Sequence, residues 1–234
     1  MKRLTVQNAE TLACKFRSDI GISMSEPVNA KTLLRRLEIT AMYRPMSESS
    51  YGISCKSKSG RMFMLINSNS TRGRQHFTVA HELFHLFYDE SPAPHICAKA
   101  TSGTERNANL FAAALLLPKE GLLAMISSEE AIEHKVGLAT VLKIEQFYQV
   151  SRSTLLIRMK DIGLITENYF QKISRLPVKE TAKEYGYDLS LYESGNKNLV
   201  ISDFGEKARM LYEKGTISEG HYVELLKMIS CGDK

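Results

Sequence analysis

The strongest constraint in this sequence is a His-Glu-x-x-His motif formed by His81, Glu82 and His85. The motif lies in an apolar run with no Gly or Pro between Phe77 and Glu90, so a helix is predicted here. On a helix, the two histidines stand one turn apart on the same face, about 6 Å from each other. Two imidazoles so placed can bind one zinc ion, and Glu82, roughly 100° further round, can take a proton from a water on the metal. The motif therefore predicts a zinc hydrolase, most simply a peptidase.

A third metal ligand is predicted in a second helix, which starts with a polar turn at Thr104 and ends before Pro118. Glu105 lies in its first turn, and two histidines plus one glutamate form the ligand set of a catalytic zinc site. Two alternatives remain open. His81 and His85 could be half-buried core residues, and Glu105 could be a surface carboxylate that benefits only from the helix dipole.

Two longer blocks around these residues resemble the ImmA/IrrE-type metallopeptidases. Residues 74–85 follow the pattern Arg-x-x-Phe-Thr-x-Ala-His-Glu-x-x-His, and residues 105–118 follow Glu-x-x-Ala-Asn-x-Phe-Ala-x-x-Leu-Leu-x-Pro. The resemblance covers roughly residues 10–165. One departure is Phe84, where the family usually has Gly. We predict that this ring packs on another side of the helix; the alternative is that it narrows the cleft.

The resemblance implies an α+β fold, with a zincin-like domain that holds a small sheet and the motif-bearing helix. It implies that His81, His85 and Glu105 bind one Zn²⁺ per chain, or another divalent metal, and that Glu82 is the general base. Members of the family are cytoplasmic proteases that cut a helix-turn-helix repressor, so such a repressor is the expected substrate.

The chain is expected to divide into three parts. Residues 1–138 would form the metallopeptidase domain, residues 139–165 a segment similar to a helix-turn-helix, and residues 166–234 a mostly helical accessory region. Within that last part, residues 166–195 are interpreted as a linker or strand region. If the middle segment bound DNA, its second helix would present Arg152, Ser153 and Arg158. The favoured alternative is a helical cap packed on the peptidase.

Three predicted strands, near residues 39–43, 52–55 and 61–67, precede the motif helix. An exposed sheet edge in such an enzyme can bind the substrate as an added strand. Substrate binding is therefore predicted for one run of the third strand, with a purely structural strand as the equal alternative. The run consists of Met62, Phe63, Met64, Leu65 and Ile66. His95, in a predicted loop, is a weaker candidate for stabilising the oxyanion.

Composition narrows the class of protein. The 234 residues include 43% hydrophobic and 24% charged residues, as in ordinary globular proteins, and no apolar stretch is long enough for a membrane span. Four cysteines without a Cys-x-x-Cys pair favour a reducing cytoplasm. The net charge of +5 permits direct DNA contact without requiring it, and such contact is not favoured.

Two rival functions require different residues from those that a peptidase requires. A non-catalytic antirepressor or DNA-binding module would use the motif as a structural metal site, which has no need of Glu82. A deformylase or small-molecule amidase would need the Cys-ligand motif that deformylases combine with His-Glu-x-x-His, and this chain lacks it.

Overall fold

A computed structural model describes residues 3–89, 95–98 and 103–230, and it confirms the predicted α+β class. The strands form one mixed sheet: β1 (Ile39–Arg44), β2 (Ser50–Lys56), β3 (Met62–Asn67), β4 (His95–Ala98) and β5 (Val200–Ile201). The helices are α1 (Val6–Asp19), α2 (Ala30–Arg36), α3 (Arg72–Tyr88), α4 (Gly103–Leu116), α5 (Lys119–Leu123), α6 (Ser128–Glu133), α7 (Leu138–Tyr148), α8 (Arg152–Asp161), α9 (Glu167–Ser174), α10 (Val178–Glu184), α11 (Phe204–Glu213) and α12 (Glu219–Ser230).

The strand order is β4-β2-β3-β1-β5, so β3 lies in the middle of the sheet. It pairs antiparallel with β2 across a hairpin and parallel with β1 on its other side. The prediction that Met62, Phe63, Met64, Leu65 and Ile66 form a free edge for substrate is therefore wrong, because both sides of β3 already carry a strand. The alternative that the run is a purely structural strand is consistent with this central position. The residues of β4, predicted as a loop, instead form the edge strand beside β2; part of that predicted loop lies outside the described residues.

One face of the sheet is covered and the other is half-exposed. Along β1, the buried side chains alternate with half-buried ones, as the two-residue period of a strand requires. The covered face carries a row of small and apolar residues from three strands: Ile39, Ala41, Tyr43, Gly52, Ser54, Met64 and Ile66. Helix α3 packs against β2 and β3 on this sheet, and α4 packs on α3.

Helix α3 begins where the side chain of Thr71 accepts a hydrogen bond from the backbone nitrogen of Arg74. Eleven of its seventeen residues are buried, which is expected of a helix held between a sheet and a second helix. Phe84 is fully buried, and its ring packs at a tilt against those of Tyr88 and Phe111, at ring-centroid distances of 5.8 and 5.7 Å. The prediction that this ring packs is confirmed.

Helices α7 and α8 meet at a tight turn, as predicted, but two of the three side chains proposed to contact DNA are buried. Arg152 is 3% exposed and paired with Glu145, and Arg158 is 2% exposed and paired with Glu10. Of the three proposed DNA contacts, Ser153 alone is solvent-exposed. Arg152 and Arg158 are therefore not available to contact DNA, contrary to the DNA-binding alternative, while the helical cap stays a prediction.

The C-terminal part is mostly helical. Residues 166–195, interpreted as a linker or strand region, instead contain α9, α10 and a short 3₁₀ helix (Ser190–Tyr192). Thr166 caps α9 by accepting a hydrogen bond from the backbone nitrogen of Tyr169. The three-part division of the chain stays a prediction. Residues from both sides of the predicted boundary at position 138 share one apolar core cluster. No helix within the described part of the chain is long and apolar enough to cross a membrane.

Candidate active site

Helices α3 and α4 bring the three predicted metal ligands together. The Nε2 atoms of His81 and His85 lie 3.2 Å apart. Glu105 Oε2 lies 3.2 Å from His81 Nε2, and Glu105 Oε1 lies 3.6 Å from His85 Nε2. All three residues are buried, with exposures of 2%, 5% and 8%. The first turn of α4 thus places a carboxylate against two imidazole nitrogens one helical turn apart on α3.

These distances fit a single small cation. For ligand atoms about 2.0–2.1 Å from zinc, tetrahedral geometry places neighbouring ligand atoms about 3.3–3.4 Å apart. The observed separations of 3.2, 3.2 and 3.6 Å cluster around that value. Two imidazoles and one carboxylate also match the preference of zinc for mixed nitrogen and oxygen ligands, whereas calcium and magnesium take oxygen. Three protein ligands leave a fourth position for water or substrate.

A second group of residues fixes the ring orientation of both histidines. His81 Nδ1 lies 2.9 Å from Asn109 Oδ1, and His85 Nδ1 lies 3.1 Å from Asp89 Oδ2. When each Nδ1 donates its hydrogen to one of these oxygens, each Nε2 keeps its lone pair for a metal. The arrangement therefore selects the tautomer that a metal site needs.

Sequence reasoning missed Asp89 and Asn109 as partners of the histidines, although both follow a simple spacing. Asp89 is four residues after His85, and Asn109 is four residues after Glu105, so each lies one helical turn beyond a predicted ligand. A search for polar residues at that spacing would have found both.

Glu82 lies beside the ligand cluster and is fully buried. Its Oε2 accepts a hydrogen bond of 2.5 Å from Ser54 Oγ, which comes from β2. Ser54 is itself 1% exposed. No sequence pattern pointed to Ser54, because it is a serine in a strand, 28 residues from its partner.

The remaining candidate, His95, is the first residue of β4 and pairs in register with Ser54 of β2. Its proposed part in stabilising an oxyanion stays a prediction. The register nevertheless places the edge strand next to the strand that contacts Glu82.

Comparison with known families agrees with this geometry. The family model of peptidase family M78, described as the IrrE N-terminal-like domain, matches residues 34–160, just over half of the chain. The matched region contains the four predicted site residues, and the match supports a metallopeptidase-type function. It also continues past position 138, where the peptidase domain was expected to end. No curated protein matches the chain.

Proposed function

The chain belongs to peptidase family M78, and on that basis we propose that it is a zinc-dependent metalloprotease that cuts a helix-turn-helix transcriptional repressor and so relieves repression. One observation carries the catalytic part of this proposal. Three ligand atoms from His81, His85 and Glu105 converge within 4.8 Å of one another in a buried site, beside the buried carboxylate of Glu82.

Each residue has a defined part in peptide hydrolysis. His81, His85 and Glu105 would hold the metal through two nitrogens and one carboxylate. When bound, zinc supplies a lowered water pKa and polarisation of the scissile carbonyl. Glu82 takes the proton from the attacking water as the new carbon–oxygen bond forms. It then gives that proton to the leaving amine as the carbon–nitrogen bond breaks.

The edge of the sheet offers a way to hold the substrate. β4 is the outermost strand on the side of β2, and β2 carries the serine that contacts Glu82. An extended peptide could add to β4 through main-chain hydrogen bonds, about 9–10 Å from β2 and so on the side of the sheet nearest to the strand that contacts Glu82. This edge replaces β3 as the proposed substrate-binding strand.

The identity of the substrate rests on the resemblance to the ImmA/IrrE-type enzymes, and so does a cytoplasmic location. The rival proposal, a non-catalytic antirepressor, predicts displacement of the repressor from DNA without cleavage. A fully buried glutamate beside the metal ligands supports the enzyme, since a structural site has no use for it.

The proposal can be tested with helix-turn-helix repressors from the same genome. Wild type and Glu82→Gln are loaded with zinc and incubated with each repressor, and cleavage is followed by mass spectrometry of the products. Gln has nearly the same size but cannot accept the proton, so we expect the rate to fall by about 10²–10⁴-fold. The mutant should keep one zinc per chain.

The matched control is Glu129→Gln, an exposed glutamate of α6, which should cleave like wild type. If wild type and Glu82→Gln cut the repressor equally, Glu82 is not the general base. If neither cuts it while both release it from DNA, the protein is an antirepressor that acts by binding.

A further inference from the structure

Strand β2 runs closely along α3, and two pairs of residues face each other there. Gly52 and Ser54 are the two buried residues of β2, two positions apart on one face of the strand. Thr78 and Glu82 are four positions apart on one face of α3. Two strand residues span about 6.6 Å and four helix residues about 6 Å, so the two spacings match.

Gly52 allows this close approach. A Cβ atom at this position would lie 2.6 Å from Thr78 Cγ2, 3.1 Å from Glu82 Oε1 and 3.3 Å from the carbonyl oxygen of Leu65. Any side chain here would therefore push α3 away from the sheet. The glycine brings the backbone of β2 against the helix at the turn that carries Glu82.

Ser54 is a polar side chain on a face of the sheet where the neighbouring positions pack apolar side chains. Its neighbours on the covered face of the sheet, in β1 and β3, are apolar, for example Ala41 and Met64. A buried hydroxyl costs free energy unless it is hydrogen-bonded. Here the hydroxyl donates to Glu82 Oε2 at 2.5 Å, and a donor to a carboxylate makes one of the stronger hydrogen bonds in proteins.

We infer that Ser54 is the positioning residue for the general base. Its hydroxyl holds Oε2 of Glu82 and sets the rotation of the carboxylate, which leaves Oε1 as the oxygen that exchanges the proton. Gly52 makes the contact geometrically possible. This role rests on the proposed function for its catalytic consequence, but the orientation of the carboxylate can be measured without any substrate.

The test compares Ser54→Ala with Ser68→Ala. Ser68 is also buried, and its Oγ makes no hydrogen bond to any described residue, so its removal controls for the loss of a buried serine. Crystal structures of both variants report the position of the Glu82 carboxylate, while melting temperature and zinc content report on folding and on the metal site. Cleavage assays give kcat and KM.

We expect the carboxylate to move by about 1 Å or more in Ser54→Ala and by less than about 0.5 Å in Ser68→Ala. The kcat of Ser54→Ala should fall about 10- to 100-fold, because a misplaced catalytic group is costly, while KM and the zinc content stay at wild-type values. Ser54→Thr keeps the hydroxyl and suits a strand, so it should recover most of the lost rate.

Two results would overturn the inference. One is an unmoved carboxylate or a wild-type kcat in Ser54→Ala. The other is a loss of zinc or of folding that accompanies the loss of rate, which would make the role of Ser54 structural. If wild type cleaves nothing, the proposed function is refuted, and the positioning role is then decided by the carboxylate displacement alone.

Discussion

Two buried polar clusters in this protein look alike in composition but differ in what surrounds their charges. The first is the site between α3 and α4, and the second links α7 and α8 to the C-terminal part. In both, a buried glutamate contacts side chains from neighbouring elements. The three predicted ligands, Glu82 and all residues of the second cluster are less than one-tenth exposed, whereas Asp89 and Asn109 are more exposed. They differ in whether the protein itself supplies the balancing positive charge.

In the α7–α8 cluster, the protein supplies it. Arg152 donates to Glu145 Oε1 at 2.7 Å and to Thr181 Oγ1 at 2.8 Å, and the hydroxyl of Tyr192 donates to the same Glu145 oxygen at 2.8 Å. Burial raises the pKa of Glu145, while Arg152 and Tyr192 oppose that shift. Each charge has a partner of opposite sign, so the cluster is complete as a structural element.

In the α3–α4 site, the atoms that converge all carry lone pairs when the imidazoles are neutral. Of the two neutral tautomers, the Nδ1 contacts of His81 and His85, to Asn109 and Asp89, select the one with the hydrogen on Nδ1 and the lone pair on Nε2. The two imidazole nitrogens lie 3.2 Å apart, and each lies 3.2–3.6 Å from one of the two oxygens of Glu105, a spacing that one metal cation would bridge. We conclude that a buried group of hydrogen-bond acceptors indicates a binding site for a cation. A buried ion pair between an acidic and a basic side chain indicates a structural cluster instead.

The largest expected effect is at the metal ligands. His81→Ala should remove zinc binding at micromolar free zinc and reduce cleavage to background, because the site loses one of its three ligands. Zinc per chain by elemental analysis checks the first result and repressor cleavage the second. His221→Ala, an exposed histidine of α12, is the control and should keep both. If His81→Ala retained zinc, the metal would bind elsewhere, and the α3–α4 site would not differ from the α7–α8 cluster in the way described.

Arg152→Met should give the opposite pattern, with a large loss of stability and no loss of metal. Removing one member of a buried ion pair leaves Glu145 uncompensated and costs about 3–5 kcal/mol in the free energy of unfolding. Urea denaturation measures this loss, and Arg175→Met, an exposed arginine, is the matched control. If Arg152→Met lost zinc while still folded, metal binding at the α3–α4 site would depend on the Glu145–Arg152 cluster, and the two clusters would not be independent.

Asn109→Ala should weaken metal binding by about 10- to 100-fold without unfolding the protein, because the orienting partner of His81 is removed. Competition with a zinc chelator measures the affinity. Asn109→Asp keeps an oxygen acceptor toward Nδ1 and should lose less. Equal zinc affinities for Asn109→Ala and wild type would show that the His81 imidazole does not need the contact with Asn109 to bind the metal.

The smallest effect is expected for Tyr192→Phe, which deletes one donor to Glu145 and leaves Arg152 in place. We expect a loss of about 1.5 kcal/mol in the free energy of unfolding, less than for Arg152→Met, with unchanged zinc content. Urea denaturation measures this as well. A loss as large as that of Arg152→Met would mean that the hydroxyl, rather than the ion pair, dominates the cluster.

Short-range patterns made two of the three candidate metal ligands predictable from the sequence. His81 and His85 are fixed relative to each other by a single helical turn, so their shared face follows from spacing alone. Glu105 required the second helix to pack beside the first, which the resemblance implied and the spacing could not show. Phe84 was also predictable, since it faces another side of α3 from the ligands.

Features that depend on distant contacts were not predictable. The order of the strands places β1 on the far side of β3, and nothing in the strand sequences encodes that choice. Ser54 becomes functional only because β2 packs on α3. Arg152 and Arg158 resemble surface arginines of a DNA-binding helix until their partners Glu145 and Glu10, from two other helices, are known.

Native mass spectrometry of the zinc-loaded protein tests whether the α3–α4 cluster is a metal site. We predict one zinc per wild-type chain and none in Glu105→Ala, with the same folded charge-state distribution for both. If wild type bound no zinc, or if Glu105→Ala bound it as tightly as wild type, this cluster would not be the metal site.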